Sequence, residues 1–199
     1  FFGLPFKVTP AVLIPRPDTE LIVELALERA APHSRLLDMG TGSGAIAVAV
    51  ASNRLDLDVT ALDVSEAALA IARENAASND ARVRFLQSDW FAALGAERFG
   101  VIASNPPYIV AGDRHLAEGD LRFEPIDALT DHGDGLAALR TIVDGAPQHL
   151  EPGGWLLLEH GYDQAAAVRA LLKARGFNEI GSWRDLGNIE RVSGGRYGS

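Results

Sequence analysis

Apolar and polar positions along this chain fall into two alternating periods. Leu21, Ile22, Leu25 and Ala26 lie on one face of a helix, with Asp18 as its expected N-cap and Pro32 beyond its end. Arg35–Met39 is a short apolar run of strand length. Gly42–Ser52 has the pattern of a buried helix, and its Ala45–Ala51 stretch carries no polar side chain. A strand over Leu57–Leu62 and a Ser65-capped helix reaching Ser78 come next. Strands follow over Val83–Leu86 and Gly100–Ser104. Ala111–Asp134 shows little periodicity and reads as a long loop, of the kind that often forms a lid or a substrate-binding segment. A helix over Leu136–Leu150 leads through the turn Glu151-Pro152-Gly153-Gly154 into a strand, Trp155–Glu159. Gln164–Arg175 is a helix closed by Gly176, and strands over Asn178–Trp183 and Ile189–Ser193 end the pattern. At the other end, aromatic and β-branched Phe1–Val8 predicts a strand or hairpin.

Strands separated by helices predict βαβ units and a mainly parallel sheet in an α/β fold. Only Asp185-Leu186-Gly187-Asn188 separates the last two strands, so these should pair antiparallel. No internal repeat appears. Residues 1–34 read as a hairpin-and-helix extension of a Rossmann-like domain over residues 35–199.

Composition narrows the classes. The 199 residues are 47% hydrophobic and 23% charged, which suits one domain with a large core. No apolar run approaches the roughly 20 residues of a membrane span, and no signal peptide opens the chain. There is no cysteine, which removes disulfides, thiolate metal sites and a cysteine nucleophile. These features fit a cytoplasmic protein. The net charge is −9 and the arginines are scattered singly, so no basic run is available to neutralise phosphates. A protein or small-molecule partner is expected rather than nucleic acid or membrane.

Gly40-Thr41-Gly42-Ser43-Gly44 follows the first buried strand and opens a helix. Glycines here let backbone approach a ligand at the carboxyl end of a strand, where open α/β sheets bind. The same pattern serves dinucleotides. Asp38 favours a methyl donor, because an acid before the turn suits an ammonium or sulfonium centre better than a pyrophosphate. Asp63 ends the second strand and can accept from both ribose hydroxyls. Asp89 and Trp90 follow the third strand, placed to meet an adenine amino group and cover its face. Trp90 as a plain core aromatic is the alternative.

Asn105-Pro106-Pro107-Tyr108 ends the fourth strand. An amide nitrogen is a poor nucleophile, because its lone pair is delocalised into the carbonyl. The side-chain oxygen of Asn105 and the backbone oxygen of Pro106 can accept its two N–H groups and aim it. Tyr108 offers a flat face for a planar group, and the prolines stiffen the loop. An adenine or guanine amino group and a glutamine amide satisfy this geometry equally.

The chain resembles the release factor glutamine methyltransferases, the HemK or PrmC family. The resemblance lies in Phe1-Phe2-Gly3-Leu4, Ile14–Glu20, the glycine loop and Asn105–Tyr108. It extends to Glu124-Pro125 with Ala128-Leu129, Asp134-Gly135-Leu136 and Arg191–Arg196. It implies a class I methyltransferase fold with a seven-stranded, mostly parallel sheet, a C-terminal antiparallel hairpin and helices on both faces. It implies S-adenosylmethionine as donor, S-adenosylhomocysteine as product, no metal, and methylation of the glutamine in the Gly-Gly-Gln motif of peptide-chain release factors. By motif position, Gly40–Gly44, Asp63, Trp90 and Asn105 would contact the donor, and Asn105–Tyr108 would hold the glutamine. Members of that family carry an N-terminal helical domain, so this sequence reads as the catalytic domain alone.

Other residues stay open. Arg16 could approach donor or substrate, or pair with Asp18 or Glu20. Glu159-His160 could suggest acid–base chemistry or a metal, but no further ligand spacing completes a set. His33, His115, His132 and His149 are expected in solvent. Two other functions remain open: a nucleic-acid amino methyltransferase, and a catalytically idle cofactor-binding module.

Overall fold

A computed structural model of the chain describes residues 1–112 and 124–198. Seven strands form one sheet: β1 (Arg35–Met39), β2 (Asp58–Asp63), β3 (Val83–Gln87), β4 (Phe99–Ser104), β5 (Leu150–Glu159), β6 (Phe177–Arg184) and β7 (Glu190–Tyr197). Their order is β3-β2-β1-β4-β5-β7-β6. The first five run parallel, while β7 is antiparallel to both β5 and β6. The expected seven-stranded sheet with its terminal hairpin is therefore present.

The central strands are apolar almost throughout because both faces are covered. Alternation along them divides the core. Leu36, Val101, Ala103 and Leu157 point to one face, against α1 (Glu20–Arg29) and α2 (Ala45–Asn53). Leu37, Ile102, Leu156 and Leu158 point to the other, against α5 (Ala137–His149) and α6 (Ala165–Ala174). Between these come α3 (Glu66–Ser78), capped by Ser65 Oγ accepting from Ala68 N at 3.2 Å, and the single turn α4 (Ile126–Leu129).

The chain leaves β1 toward β2 and β3, then crosses back to add β4 on the other side of β1. A crevice opens where the direction of winding reverses, and this is where α/β sheets bind ligands. Met39 and Ser104 are paired there, and Ser104 Oγ donates to the Met39 carbonyl at 2.6 Å. Gly40 and Asn105 consequently leave the sheet side by side.

Several sequence expectations change. Phe1–Val8 forms a turn and extended coil rather than a strand or hairpin. Pro5 and Pro10 cannot donate to a ladder, and side chains satisfy this backbone instead. Glu20 accepts from Phe2 N at 2.7 Å; the Asn75 side chain accepts from Lys7 N and donates to its carbonyl. Asp18 is not the cap of α1. It lies in a 3-10 turn, Pro17–Thr19, that precedes the helix. The turn at Glu151–Gly154 is absorbed into β5 as a register shift opposite β4. His149 is buried, stacked on Phe91 at 4.8 Å between centroids, with Nδ1 at 3.0 Å from the Glu97 carbonyl. Its position on the buried face of α5 outweighs its polarity. His33 and His132 are exposed as expected, whereas His115 and the loop segment 113–123 lie outside the described residues.

Candidate active site

The glycine loop is clasped from below. Gly40 N and Thr41 N both donate to the Leu62 carbonyl at 2.9 Å, which ties the loop to the end of β2. Asp38, expected to face a ligand, is fully buried beneath the loop instead. Its Oδ2 accepts from Thr41 Oγ1 at 2.6 Å and from Ala47 N at 3.0 Å. Burial raises its pKa to about 7, against the pull of those two donors. Asp38 thus fixes the loop against the start of α2 and borders neither of the two cavities above it. Asp63 bridges the loop to α3, accepting from Gly42 N on one oxygen and from Ser65 N on the other, each at 2.9 Å. Burial raises its pKa as well.

Two cavities open above this floor. The larger, about 300 Å³, is bordered by Gly40, Gly42, Asp63, Asp89, Trp90 and Asn105. The smaller, about 120 Å³, is bordered by Arg16, Thr19, Asn105, Pro106, Tyr108 and Glu159. Gly40, Gly42 and Asn105 border both, so Asn105 stands at the junction. The five loop residues divide accordingly. Thr41 and Ser43 border only the smaller cavity, and Gly44 borders neither. A Cβ on Gly44 would lie 3.2 Å from that of Ala72, so its lack of a side chain serves helix packing. Pro107 borders the larger cavity, away from the other substrate-side residues.

Trp90 answers both of its readings. It packs partly on the core under α5 and also borders the larger cavity. Its φ of 45° is unusual for a bulky residue, and Ser88 braces it by donating from Oγ to its carbonyl at 2.7 Å.

Hydrogen bonds hold the tetrapeptide at its two ends. Asn105 Nδ2 donates to Thr19 Oγ1 at 3.3 Å, which turns Oδ1 away from Thr19. Pro106 is buried, and among the described residues no donor is placed on its carbonyl. Tyr108 Oη donates to Glu159 Oε1 at 3.4 Å, and the Tyr108 carbonyl accepts from Gln164 Nε2 at 3.0 Å. Burial and the nearby Glu159 carboxylate push the Tyr108 hydroxyl well above its ordinary pKa, so it stays protonated.

Asp134-Gly135-Leu136 explains itself here. Gly135 has φ +75°, and a Cβ there would lie 2.5 Å from the Tyr108 carbonyl and 2.7 Å from Gln164 Nε2. Gly135→Ala should therefore displace Tyr108 and cut turnover by about 100-fold, the scale on which misplacing a reacting group by about an ångström acts. Steady-state methyl transfer beside a donor titration would check this, with donor affinity expected to change little.

Arg16 pairs with neither Asp18 nor Glu20. Its partner is Glu124, whose side chain is buried. Asp18 faces Arg191 at 3.4 Å, and Glu20 holds the chain start. The segments around Arg16, Glu124 and Arg191, distant in sequence, thus meet at one mouth. Glu159 is buried, its pKa raised to about 7 by burial first and by Asp18 also, against donors from Thr19 and Tyr108 and the charge of Arg191. His160 faces the other way, with ring nitrogens at 2.8 Å from Ser193 Oγ and from the Gly161 carbonyl. Among the described residues no group of acidic or histidine side chains is placed to hold a metal, and no helix is long and apolar enough to cross a membrane.

Sequence reasoning did not single out Thr19, nor the Ala11–Leu13 backbone segment that borders the larger cavity. Burial of a lone threonine between two prolines' neighbourhood and a helix leaves no periodic signal. Only its place inside Ile14–Glu20 hinted at it.

Comparison with known proteins shows what the chain is similar to. Residues 17–120 match the family model described as the methyltransferase small domain. The chain is 60% identical to a release factor glutamine methyltransferase of Burkholderia pseudomallei, over 98% of this chain and 72% of that protein. It is 59% identical to that of Bordetella pertussis, over 98% of this chain and 73% of that one. Among solved structures it resembles a release factor-specific protein-(glutamine-N5) methyltransferase of Alicyclobacillus acidocaldarius. The TM-score is 0.59 at 32% identity, over 98% of this chain and 100% of that one.

Proposed function

We infer that this chain, which belongs to the release factor glutamine methyltransferase family, transfers a methyl group to a side-chain amide nitrogen, that of the glutamine in the Gly-Gly-Gln motif of peptide-chain release factors. The observation that carries this reading is the junction at Asn105, where a cavity suited to a nucleoside meets one suited to a planar amide.

The larger cavity fits S-adenosylmethionine. Gly40 and Gly42 leave open space where a Cβ would stand, Asp63 offers carboxylate oxygens, and Trp90 offers a ring beside Asp89. When bound, this donor supplies an electrophilic sulfonium methyl carbon. Asp63 would hold the ribose hydroxyls, and Asp89 and Trp90 the adenine.

The smaller cavity would take the glutamine side chain. Asn105 Oδ1 and the Pro106 carbonyl accept the two amide N–H groups and point the nitrogen at the junction. The same two acceptors stabilise positive charge as it develops on nitrogen during in-line displacement. Tyr108, protonated and braced by Glu159 and Gln164, stacks on the amide plane. The product nitrogen is acidic once alkylated, so its proton leaves late and a strong base is unnecessary.

The direct test is to incubate the chain with S-adenosylmethionine and an unmethylated release factor, then map the product by mass spectrometry. One added methyl on the Gly-Gly-Gln glutamine is expected. Methyl transfer to RNA or DNA instead would assign the site to a nucleobase amino group.

A further inference from the structure

An asparagine amide has nearly the same shape either way round, yet its two ends do opposite chemistry. The reaction proposed above needs the carbonyl end of Asn105 toward the substrate NH₂. A half-turn about the terminal torsion would present N–H groups to N–H groups instead. Some neighbour must therefore choose the orientation.

We propose that Thr19 is the positioning residue that fixes the Asn105 amide with its oxygen toward the substrate. The proposal rests on the functional reading above. Thr19 is 4% exposed, at the start of α1 and 86 positions from Asn105 in sequence, and its Oγ1 lies 3.3 Å from Asn105 Nδ2. A hydroxyl has one proton and two lone pairs. In the structure the Thr19 hydroxyl uses a lone pair, accepting from the NH₂ end of Asn105. With the NH₂ end held on Thr19, the carbonyl end of Asn105 is the one left for the substrate amide.

Glu159 holds the other end of the tetrapeptide. It is 2% exposed, and it borders the same cavity as Thr19 and Asn105. Its Oε1 accepts from Tyr108 Oη, so this carboxylate braces the tetrapeptide's tyrosine while Thr19 holds its asparagine. Asp18 and Arg191 are the charged groups that face it, with opposite effects on its ionisation. β5 delivers Glu159 and the 3-10 turn delivers Thr19, so two elements outside the tetrapeptide set its orientation.

The test compares Thr19→Val, which keeps the shape and removes the hydroxyl, with Thr19→Ser, which keeps the hydroxyl. Turnover on release factor and donor binding are measured for both, beside the wild-type chain. Thr19→Val should lower kcat by about tenfold, as expected for losing one hydrogen bond that holds a reacting group. Donor Kd should stay within about twofold, and Thr19→Ser should restore most of the loss. Thr19→Ala, which introduces no bulk, should reproduce the fall if valine perturbs folding. A kcat unchanged in both Thr19→Val and Thr19→Ala overturns the proposal, as does an equal loss in Thr19→Ser. A loss carried wholly by donor Kd overturns it too. A wild-type chain that binds donor but never methylates release factor overturns the functional reading itself.

Discussion

Asn105→Ala should lower kcat for glutamine methylation by about 1000-fold, the upper range for removing one preorganised polar group at a reacting centre. Donor affinity should change by less than about threefold, because Asn105 contributes one wall of the larger cavity and holds none of its polar floor. In this variant the Pro106 carbonyl remains, and it can accept only one of the two amide N–H groups. The nitrogen then rotates about that single contact, and its lone pair loses alignment with the methyl carbon. Thr19 and Glu159 stay in place behind the gap, so the fold should persist. Single-turnover transfer of labelled methyl, with donor binding measured by calorimetry, separates the two quantities. Turnover within tenfold of wild type would falsify the assignment of Asn105 as the residue that holds the amide.

The sequence was most legible where one local pattern decides the structure. Alternation of buried strands with helices placed β1 through β4 within a residue and fixed the end of β5, because parallel strands covered on both faces must be apolar throughout. The short, helix-free link between the last strands dictated their antiparallel pairing, although β7 extends to Tyr197, further than its apolar run suggests. Gly194 and Gly195 carry that extension, and their pairing with β5 is a property of the ladder that composition does not advertise.

What the sequence hid depends on contacts between distant segments. Asp38 looked like a ligand-facing acid, yet the loop folds over it and its Oδ2 accepts from both Thr41 and Ala47. Arg16 had two nearby acids in sequence, but both were already engaged by Arg191 and by the backbone of Phe2, and Glu124 completed the pair. The aromatic start promised a strand, but prolines left its backbone to the side chains of α3. At the candidate site, the glycine loop, Asp63 and Asn105–Tyr108 were visible as motifs. The division of labour within them was not: Gly44 packs a helix, Thr41 and Ser43 face the smaller cavity, and Pro107 faces the larger.

Asp63→Ala should have the opposite kinetic signature to the tetrapeptide variant. Each Asp63 oxygen already accepts one backbone N–H, from Gly42 or from Ser65, and each keeps a lone pair for a further donor. Two ribose hydroxyls would take those places. Hydrogen bonds to a charged acceptor contribute about 1.5–3 kcal/mol each, and about 1.4 kcal/mol is tenfold in affinity. Losing two should therefore raise the donor Kd by about 100-fold or more. Removing the carboxylate also frees Gly42 N and loosens the loop, which adds to the loss. None of these contacts reaches Asn105, so kcat at saturating donor should recover to within about fivefold of wild type. Asp63→Asn keeps one acceptor and replaces the other with a donor, and should fall between alanine and wild type. Measured together, a Kd effect at Asp63 and a kcat effect at Asn105 would assign the larger cavity to the donor and the smaller to the amide. A kcat collapse in Asp63→Ala with unchanged donor Kd would reverse that assignment, because the acid would then act on the reacting groups and not on the nucleoside.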